Sequence, residues 1–166
     1  MPQFCCVAQG IIIYTDGAAL GNPGPGGYGA VLMYGPNRKE LSEGFRLTTN
    51  NRMELLAVIR ALQQLKQTGI PVIIHSDSQY VCKAVNEGWL FNWKKKGWVK
   101  VKNPDLWKVF LELYTMFKPK MQWVKGHAGI PENERCDLLA TSAASTQAVG
   151  VDAWYEANRN SADGLF

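Results

Sequence analysis

The chain has 166 residues, of which 46% are apolar and 19% are charged. This length fits one domain, and such a composition with only short apolar runs excludes a disordered chain and a membrane-spanning one. The net charge of +4 is unevenly distributed. Residues 88–104, called here the basic segment, contain no acid but five lysines, at positions 94, 95, 96, 100 and 102. This surplus predicts a polyanionic partner, with a solvated loop as the alternative.

Cysteine usage indicates a reducing compartment. The chain has four cysteines, which are too few and too scattered for a disulfide framework. The N-terminal segment has no basic residue and no long apolar stretch, so it does not resemble a secretory signal. The expected location is the cytoplasm.

The first part of the chain predicts three strands. Residues 11–14 are β-branched or aromatic, which is typical of a strand buried on both faces. A cluster of glycine and proline over residues 21–29 predicts a turn. Two further strands, over residues 30–34 and 40–47, would complete an antiparallel meander.

Helices dominate the rest of the chain. Helix-capping residues at 48–51 begin an amphipathic helix that ends before Gly69 and Pro71. The elements expected after it are a buried strand over 72–75, helices from 78 and over 105–118, a strand over 121–124 and a helix over 131–145. This order predicts an α/β fold in which helices cover one mixed sheet.

Four acidic residues are candidates for a metal site. Asp16 and Asp77 end predicted central strands, where α/β sheets keep their ligand crevice. Glu54 and Asp137 lie near the starts of predicted helices, where each alone would merely favour the helix dipole. Burying four like charges together is costly unless cations lie between them. All-oxygen ligands indicate Mg²⁺ or Mn²⁺ and are typical of two-metal phosphoryl displacement.

Two histidines have different expected roles. His127 lies in a glycine-flanked loop, where a neutral imidazole would help to activate water or carry a proton from a leaving group. A surface residue without a catalytic role is the alternative. His75, within the strand over 72–75, is expected to be a hydrogen-bonded residue of the core or the sheet face.

Six short motifs occur in order between residues 11 and 145. They are YTDG at 14–17, GNPGPGGYG at 21–29, TNNRME at 49–54, DSQY at 77–80, and VKGHAG at 124–129 with ERCD at 134–137. Together they closely resemble bacterial type 1 ribonuclease H. The resemblance implies a ribonuclease H-like α/β fold: a five-stranded mixed sheet, antiparallel in its first three strands and parallel in the later ones, with helices on both faces.

The resemblance implies an endonuclease that hydrolyses the RNA strand of RNA–DNA hybrids with two Mg²⁺ ions, for which Mn²⁺ would substitute. The products would carry 5′-phosphate and 3′-hydroxyl ends. Asp16 would contact both ions, Asp137 the ion that activates water, and Glu54 and Asp77 the ion at the leaving oxygen. His127 would assist proton movement or product release. We expect a monomer that binds the hybrid and no membrane.

Substrate choice should depend on sugar and helix shape, because the 2′-hydroxyl distinguishes RNA from DNA. The family pattern places Asn51 and Gln79 at the RNA minor groove, and Asn22 and Thr49 near the backbone, with Thr49 at a DNA phosphate. Alternatively, Asn51 or its neighbour Asn50 only caps the following helix.

In the family, the region of the basic segment forms a protrusion that holds the DNA strand through indole and lysine side chains. The matching residues here are Trp89, Trp93, Lys94, Lys95 and Lys96. Trp98 and Trp107 are alternatively core residues, Trp107 above all. Residues 99–105 form a shorter stretch than in the family, which predicts a shorter protrusion and a lower affinity.

We expect a single domain over residues 1–145 and a loosely attached tail over 146–166, whose composition turns to Gly, Asn, Asp and Ser. The alternative function is a non-catalytic hybrid-binding module, which would normally have lost a metal ligand. A domain of a reverse transcriptase polyprotein is a third possibility, disfavoured by Met1 and by the basic segment.

Overall fold

The computed structural model describes residues 9–163, with side chains up to residue 160. In chain order, its elements are β1 (Ile11–Ala19), β2 (Gly24–Tyr34), β3 (Asn37–Thr48), α1 (Asn50–Gln63), β4 (Val72–Ser76), α2 (Gln79–Asn86), α3 (Trp89–Lys95), α4 (Pro104–Phe117), β5 (Lys120–Trp123), α5 (Pro131–Thr146) and α6 (Ala153–Asp163). None of the helices in this range has the length and hydropathy of a transmembrane span.

The strands form one mixed sheet in the order β3-β2-β1-β4-β5. The β1, β2 and β3 strands pair antiparallel, while β4 pairs parallel to β1 and β5 parallel to β4. This confirms the predicted sheet. The parallel pairing of β1 with β4 ends at Thr15 and Ser76, so Asp16 and Asp77 follow it at the same edge.

The turn predicted over residues 21–29 is wrong beyond residue 23, because β2 begins at Gly24. The glycines of β2 permit close packing against α5. A Cβ on Gly29 would lie 2.5 Å from the carbonyl oxygen of Cys136, and one on Gly27 would lie 2.7 Å from that of Ala140. Glycine within a strand often marks such a close approach.

Helices cover both faces of the sheet. The main core lies on the face that carries α1, and Trp107 of α4 is fully buried there, as predicted. Its Nε1 donates a hydrogen bond to the Tyr80 hydroxyl at 2.8 Å. On the opposite face, α5 packs against β1, β2 and β3. Cys82 and Cys136 are buried free thiols, whereas Cys5 and Cys6 lie outside the described residues.

The C-terminal segment packs on the domain, contrary to the loose attachment expected after residue 146. Gly150 pairs with Phe45, and α6 follows. Arg52 of α1 is 1% exposed and donates to both carboxylate oxygens of Asp152, at 2.7 and 2.8 Å. It also donates to both oxygens of Asp105, at 2.9 and 2.7 Å. The polar composition of the tail conceals this attachment, which depends on a buried cation distant in sequence.

Candidate active site

Three carboxylates meet where the parallel pairing of β1 with β4 ends. Asp16 lies in β1, Glu54 near the start of α1, and Asp77 directly after β4. One oxygen of each lies within 4.8 Å of an oxygen of both others. The structure therefore brings three of the four predicted acids into one group, called here the carboxylate cluster.

Glycine allows the backbone to approach closely enough to form the carboxylate cluster. A Cβ on Gly17 would overlap the backbone nitrogen of Glu54, so β1 passes the start of α1 with no room for a side chain. A Cβ on Gly126 would lie 2.8 Å from Oδ2 of Asp77. The loop after β5 therefore closes directly over Asp77.

Burial and mutual repulsion raise the pKa values in the carboxylate cluster. Burial, followed by the charges of Asp77 and Asp137, raises the pKa of Asp16 to about 8. Burial and repulsion by Asp16 and Asp77 raise the pKa of Glu54 well above its ordinary value. Burial also raises the pKa of Asp77, while the charge of His127 lowers it. The cluster therefore favours bound protons or cations at neutral pH.

The donor atoms of the carboxylate cluster fit a divalent metal ion. Oε2 of Glu54 is buried and has no hydrogen-bond partner among the described residues. A buried carboxylate oxygen without a partner is costly unless a proton or a cation satisfies it. Three carboxylates and no nitrogen or sulfur donor suit a hard cation such as Mg²⁺ or Mn²⁺.

Asp137 lies beside the carboxylate cluster, in a second group with His127 and Glu134. One ligand atom of each of these three residues lies within 4.8 Å of the others. The charge of Asp137 raises the pKa values of Asp16 and Asp77, so the two groups are electrostatically connected. Sequence reasoning did not select Glu134. Its spacing of three residues from Asp137 was the available signal, but an acid at a helix start is explained by the dipole alone.

His127 is exposed and has a φ of 55°. This left-handed conformation is uncommon for a residue other than glycine and concentrates at functional sites. His75, by contrast, is half-buried on the sheet face, where its ring stacks on Tyr14 with centroids 4.5 Å apart. The position of His75 on the sheet face is therefore as expected. The expected hydrogen bond is not found at Nδ1, which has no partner among the described residues.

The predicted substrate contacts lie close to this edge of the sheet. Asn22, Thr49 and Asn51 line one cavity of about 550 Å³, called here the side cavity. Gln79 is the exposed first residue of α2, two positions after Asp77. The structure thus brings three of these four polar residues together and places the fourth next to the carboxylate cluster.

The helix cap differs from the alternative considered for Asn50 and Asn51. The α1 helix is capped by Thr49, whose Oγ1 accepts the N–H of Arg52 at 3.3 Å. Asn50 Oδ1 instead accepts the N–H of Ala19 at 2.6 Å. The prediction that Asn50 or Asn51 caps the helix is therefore wrong. The side chain of Asn51 is exposed.

The basic segment forms α3 and the loop that follows it. Trp89 is 38% exposed, and its ring centroid lies 6.4 Å from that of the half-buried Trp93. Trp98 is half-buried against the core, with Nζ of Lys108 at 6.0 Å from its ring centroid. The exposed cations of this surface include Lys94, Lys95 and Lys96.

Comparison with known proteins decides the family. The family model for RNase H matches residues 8–145. The chain belongs to the RNase H family. This RNase H is 54% identical over 150 residues to the ribonuclease H of Syntrophus aciditrophicus (strain SB), which covers 87% of this chain and 86% of that protein. It is also 54% identical over 151 residues to the ribonuclease H of Shewanella amazonensis, which covers 88% and 96% of the two chains. These relatives identify this RNase H as a ribonuclease H enzyme.

Solved structures agree with this assignment. LC9-RNase H1, described as a type 1 RNase H with the type 2 active-site motif, matches with a TM-score of 0.75 and 30% identity over 90% of this chain and 80% of that chain. LC11-RNase H1, solved in complex with an RNA/DNA hybrid, matches with a TM-score of 0.62 and 30% identity over 82% and 98%. The fold of this RNase H is therefore that of its family.

Proposed function

We propose that this RNase H hydrolyses internal phosphodiesters in the RNA strand of RNA–DNA hybrids, with two divalent metal ions, and leaves 5′-phosphate and 3′-hydroxyl ends. The carboxylate cluster carries this proposal, because it combines three acids within 4.8 Å with a buried oxygen that has no partner among the described residues. Sites of this composition serve in-line displacement at phosphorus. The relative solved with an RNA/DNA hybrid supports the choice of substrate.

Four acids would hold the ions. By the family resemblance, Glu54 and Asp77 would bind one ion, Asp137 the other, and Asp16 both. The charges of Asp77 and Asp137 both act on Asp16, which agrees with a position of Asp16 between them. Divalent ions bound there would lower the pKa of a water and neutralise the charge on the leaving 3′ oxygen. Mg²⁺ is the proposed ion and Mn²⁺ a substitute, since both prefer oxygen ligands.

His127 would move a proton during the reaction. Its imidazole has a ligand atom within 4.8 Å of carboxylate oxygens of Glu134 and Asp137, and a neighbouring carboxylate can fix the orientation and tautomer of a histidine. Because His127 is exposed, it can exchange that proton with solvent. The proposed role is transfer of a proton between the reacting groups and solvent, or assistance of product release.

Hybrid recognition would combine two surfaces. The amide groups of Asn51 and Gln79 can donate and accept hydrogen bonds at 2′-hydroxyls, while Asn22 and Thr49 would contact the backbone. The exposed lysines and indoles of the basic segment would hold the DNA strand through phosphate charge and sugar contacts. The side chains proposed for this surface are Trp89, Trp93, Lys94, Lys95 and Lys96.

The proposal extends to the setting of the enzyme. Residues 1–145 would form the catalytic domain, acting as a monomer on one duplex. The buried free thiols of Cys82 and Cys136 suit a reducing compartment, which supports a cytoplasmic location.

Cleavage of one labelled RNA in three forms tests this function. We expect Mg²⁺-dependent cleavage when the RNA is paired with DNA, and none when it is single-stranded or paired with RNA. The new ends should be a 3′-hydroxyl that a polymerase extends and a 5′-phosphate that a ligase accepts. Equal cleavage of single-stranded RNA, or cleavage that persists in excess chelator, would contradict the proposal.

A further inference from the structure

The α6 helix is held in one position on the domain. Asp152 accepts a hydrogen bond from the N–H of Tyr155 at 3.4 Å at the start of α6, while its carboxylate binds Arg52 and accepts from the Thr48 hydroxyl at 2.7 Å. The next residue of α6, Glu156, accepts hydrogen bonds from Nε and Nη2 of Arg46 in β3 at 2.8 and 3.0 Å. One side of α6 is therefore occupied by contacts with the sheet.

Another side of α6 lines the side cavity, which has a volume of about 550 Å³. Trp154, Tyr155, Asn158 and Arg159 all border it, and their spacing of one and four residues places them on adjoining positions of one helix surface. The lining also includes Asn22, Thr49 and Asn51, together with residues 101–103 at the end of the basic segment, among them Lys102. The cavity is thus bounded by the proposed substrate contacts and by α6.

The charge of the side cavity suits an anion. Lys102 and Arg159 are exposed at its border, and none of its described lining residues is acidic. Arg159 makes no salt bridge with another described side chain. The hydrogen bond from Arg46 lowers the pKa of Glu156, and the charge of Arg159 lowers it further. Trp154 is 37% exposed and lies over Arg52, whose Cζ is 4.9 Å from the ring centroid. The helix therefore presents a cation and an aromatic edge beside Thr49.

We propose that α6 forms a wall of the hybrid-binding surface and that Arg159 contacts a phosphodiester of the strand that Thr49 is predicted to contact, the DNA strand. This inference rests on the proposed function and extends the binding surface into the C-terminal segment. A nucleic-acid backbone fits because the cavity is continuous with the predicted backbone contacts and carries cations at its rim, the combination that phosphate recognition uses.

The salt dependence of hybrid binding tests the role of Arg159. Arg159→Ala should raise Kd about three- to tenfold near physiological salt and lower the slope of log K against log salt by about 0.9, the value of one phosphate contact on a duplex. Arg159→Lys should restore most of the slope, because it keeps the positive charge. The matched control is Lys66→Ala, which removes an exposed cation near the far end of α1 and should leave Kd and slope unchanged.

Neutral methylphosphonate linkages identify the strand. A single linkage at the position that Arg159 contacts in the DNA strand should abolish the difference between wild type and Arg159→Ala, whereas linkages in the RNA strand should preserve it. A wild-type enzyme that cleaves hybrids while Arg159→Ala behaves like Lys66→Ala would overturn this inference alone, as would a response confined to the RNA strand. A wild-type chain that neither binds nor cleaves hybrids would overturn the proposed function and this inference together.

Discussion

At the scale of single residues, burial and mutual repulsion of the acids in the carboxylate cluster oppose folding when no cation is bound. Asp16, Glu54 and Asp77 all have raised pKa values, and burial is the first cause in each case. Removing carboxylates from water is costly, and like charges nearby add to this cost. The carboxylate cluster therefore lowers the stability of the metal-free protein and favours the binding of cations.

The metal-free protein should lose stability as pH rises from about 4 to about 8. Asp16 has a folded-state pKa of about 8 against an ordinary value of 3.8, so the folded state binds more protons than the unfolded state within this window. Urea unfolding in chelator should show this fall. Asp16→Asn should unfold at a higher urea concentration than wild type at pH 7.5. Its free energy of unfolding should be larger by at least ~1.4 kcal/mol, the value of one pKa unit. A wild-type stability that rises through the window would contradict this account.

Replacing His127 with asparagine separates chemistry from loop conformation. Asn tolerates the left-handed backbone at φ 55° better than most residues, but it cannot carry a proton at neutral pH. We expect kcat to fall roughly 10²-fold while Kd for the hybrid stays within about twofold of wild type. Parallel turnover and binding measurements check this. Equal losses in both would assign His127 a structural role.

Which residues form the carboxylate cluster was predictable from sequence, because strand-ending acids and helix-start acids share the edge of a parallel pair. The separate grouping of Asp137 with Glu134 was not, since it depends on how α5 crosses the sheet. A dipole explanation for Glu134 is complete at the sequence level. Only the position of the His127 loop shows that the carboxylate of Glu134 lies close to a second possible ligand, His127.

At the scale of elements, every predicted strand and helix occurs in the predicted order, but α3 and α6 were not predicted and the ends of elements were less predictable. The β2 strand begins within the predicted turn because Gly27 and Gly29 serve close packing against α5. A glycine in a sequence can indicate either a turn or a close approach of another element. Here only the position of α5 against β2 shows that close packing is the reason. The α6 helix was missed because its attachment depends on Arg52, about 100 positions away in sequence.

The basic segment should supply a large part of the electrostatic affinity. Replacing Lys94, Lys95 and Lys96 together with alanine should weaken hybrid binding and lower the salt slope by up to about 2.7, if all three contact phosphates. A control that removes Lys66 and Lys120 changes cations away from the carboxylate edge, because Lys120 begins β5 and Lys66 follows α1. Titrations across a salt series check both variants. An unchanged slope in the triple variant would move the DNA-binding surface elsewhere.

At the scale of the whole molecule, Arg52 joins three segments that are distant in the chain. Its guanidinium connects α1 to Asp105 at the start of α4 and to Asp152 before α6. Burial alone would lower its pKa, but the hydrogen bonds that Arg52 donates to Asp105 and Asp152 raise the pKa above the ordinary value, so it stays charged. The same contacts fix the helix that borders the side cavity.

Removing this cation should be much more damaging than removing an exposed one. Arg52→Ala should lower the free energy of unfolding by about 3–5 kcal/mol, because two acids lose their buried partner. Arg46→Ala breaks a contact to the same C-terminal segment, but its side chain is 61% exposed, so little change is expected. Urea unfolding followed by circular dichroism compares them. Equal effects would show that burial does not decide the strength of this attachment.

The most direct test of the central claim is cleavage of an RNA–DNA hybrid in Mg²⁺ by wild type, Asp16→Asn and Glu112→Gln, with hybrid binding measured in parallel. Glu112 is an exposed acid on α4 and serves as the control for loss of one carboxylate. We predict that Asp16→Asn loses cleavage but still binds the hybrid. Glu112→Gln should cleave as wild type does. Near-normal turnover by Asp16→Asn would contradict the assignment of the carboxylate cluster as the metal-binding catalytic site.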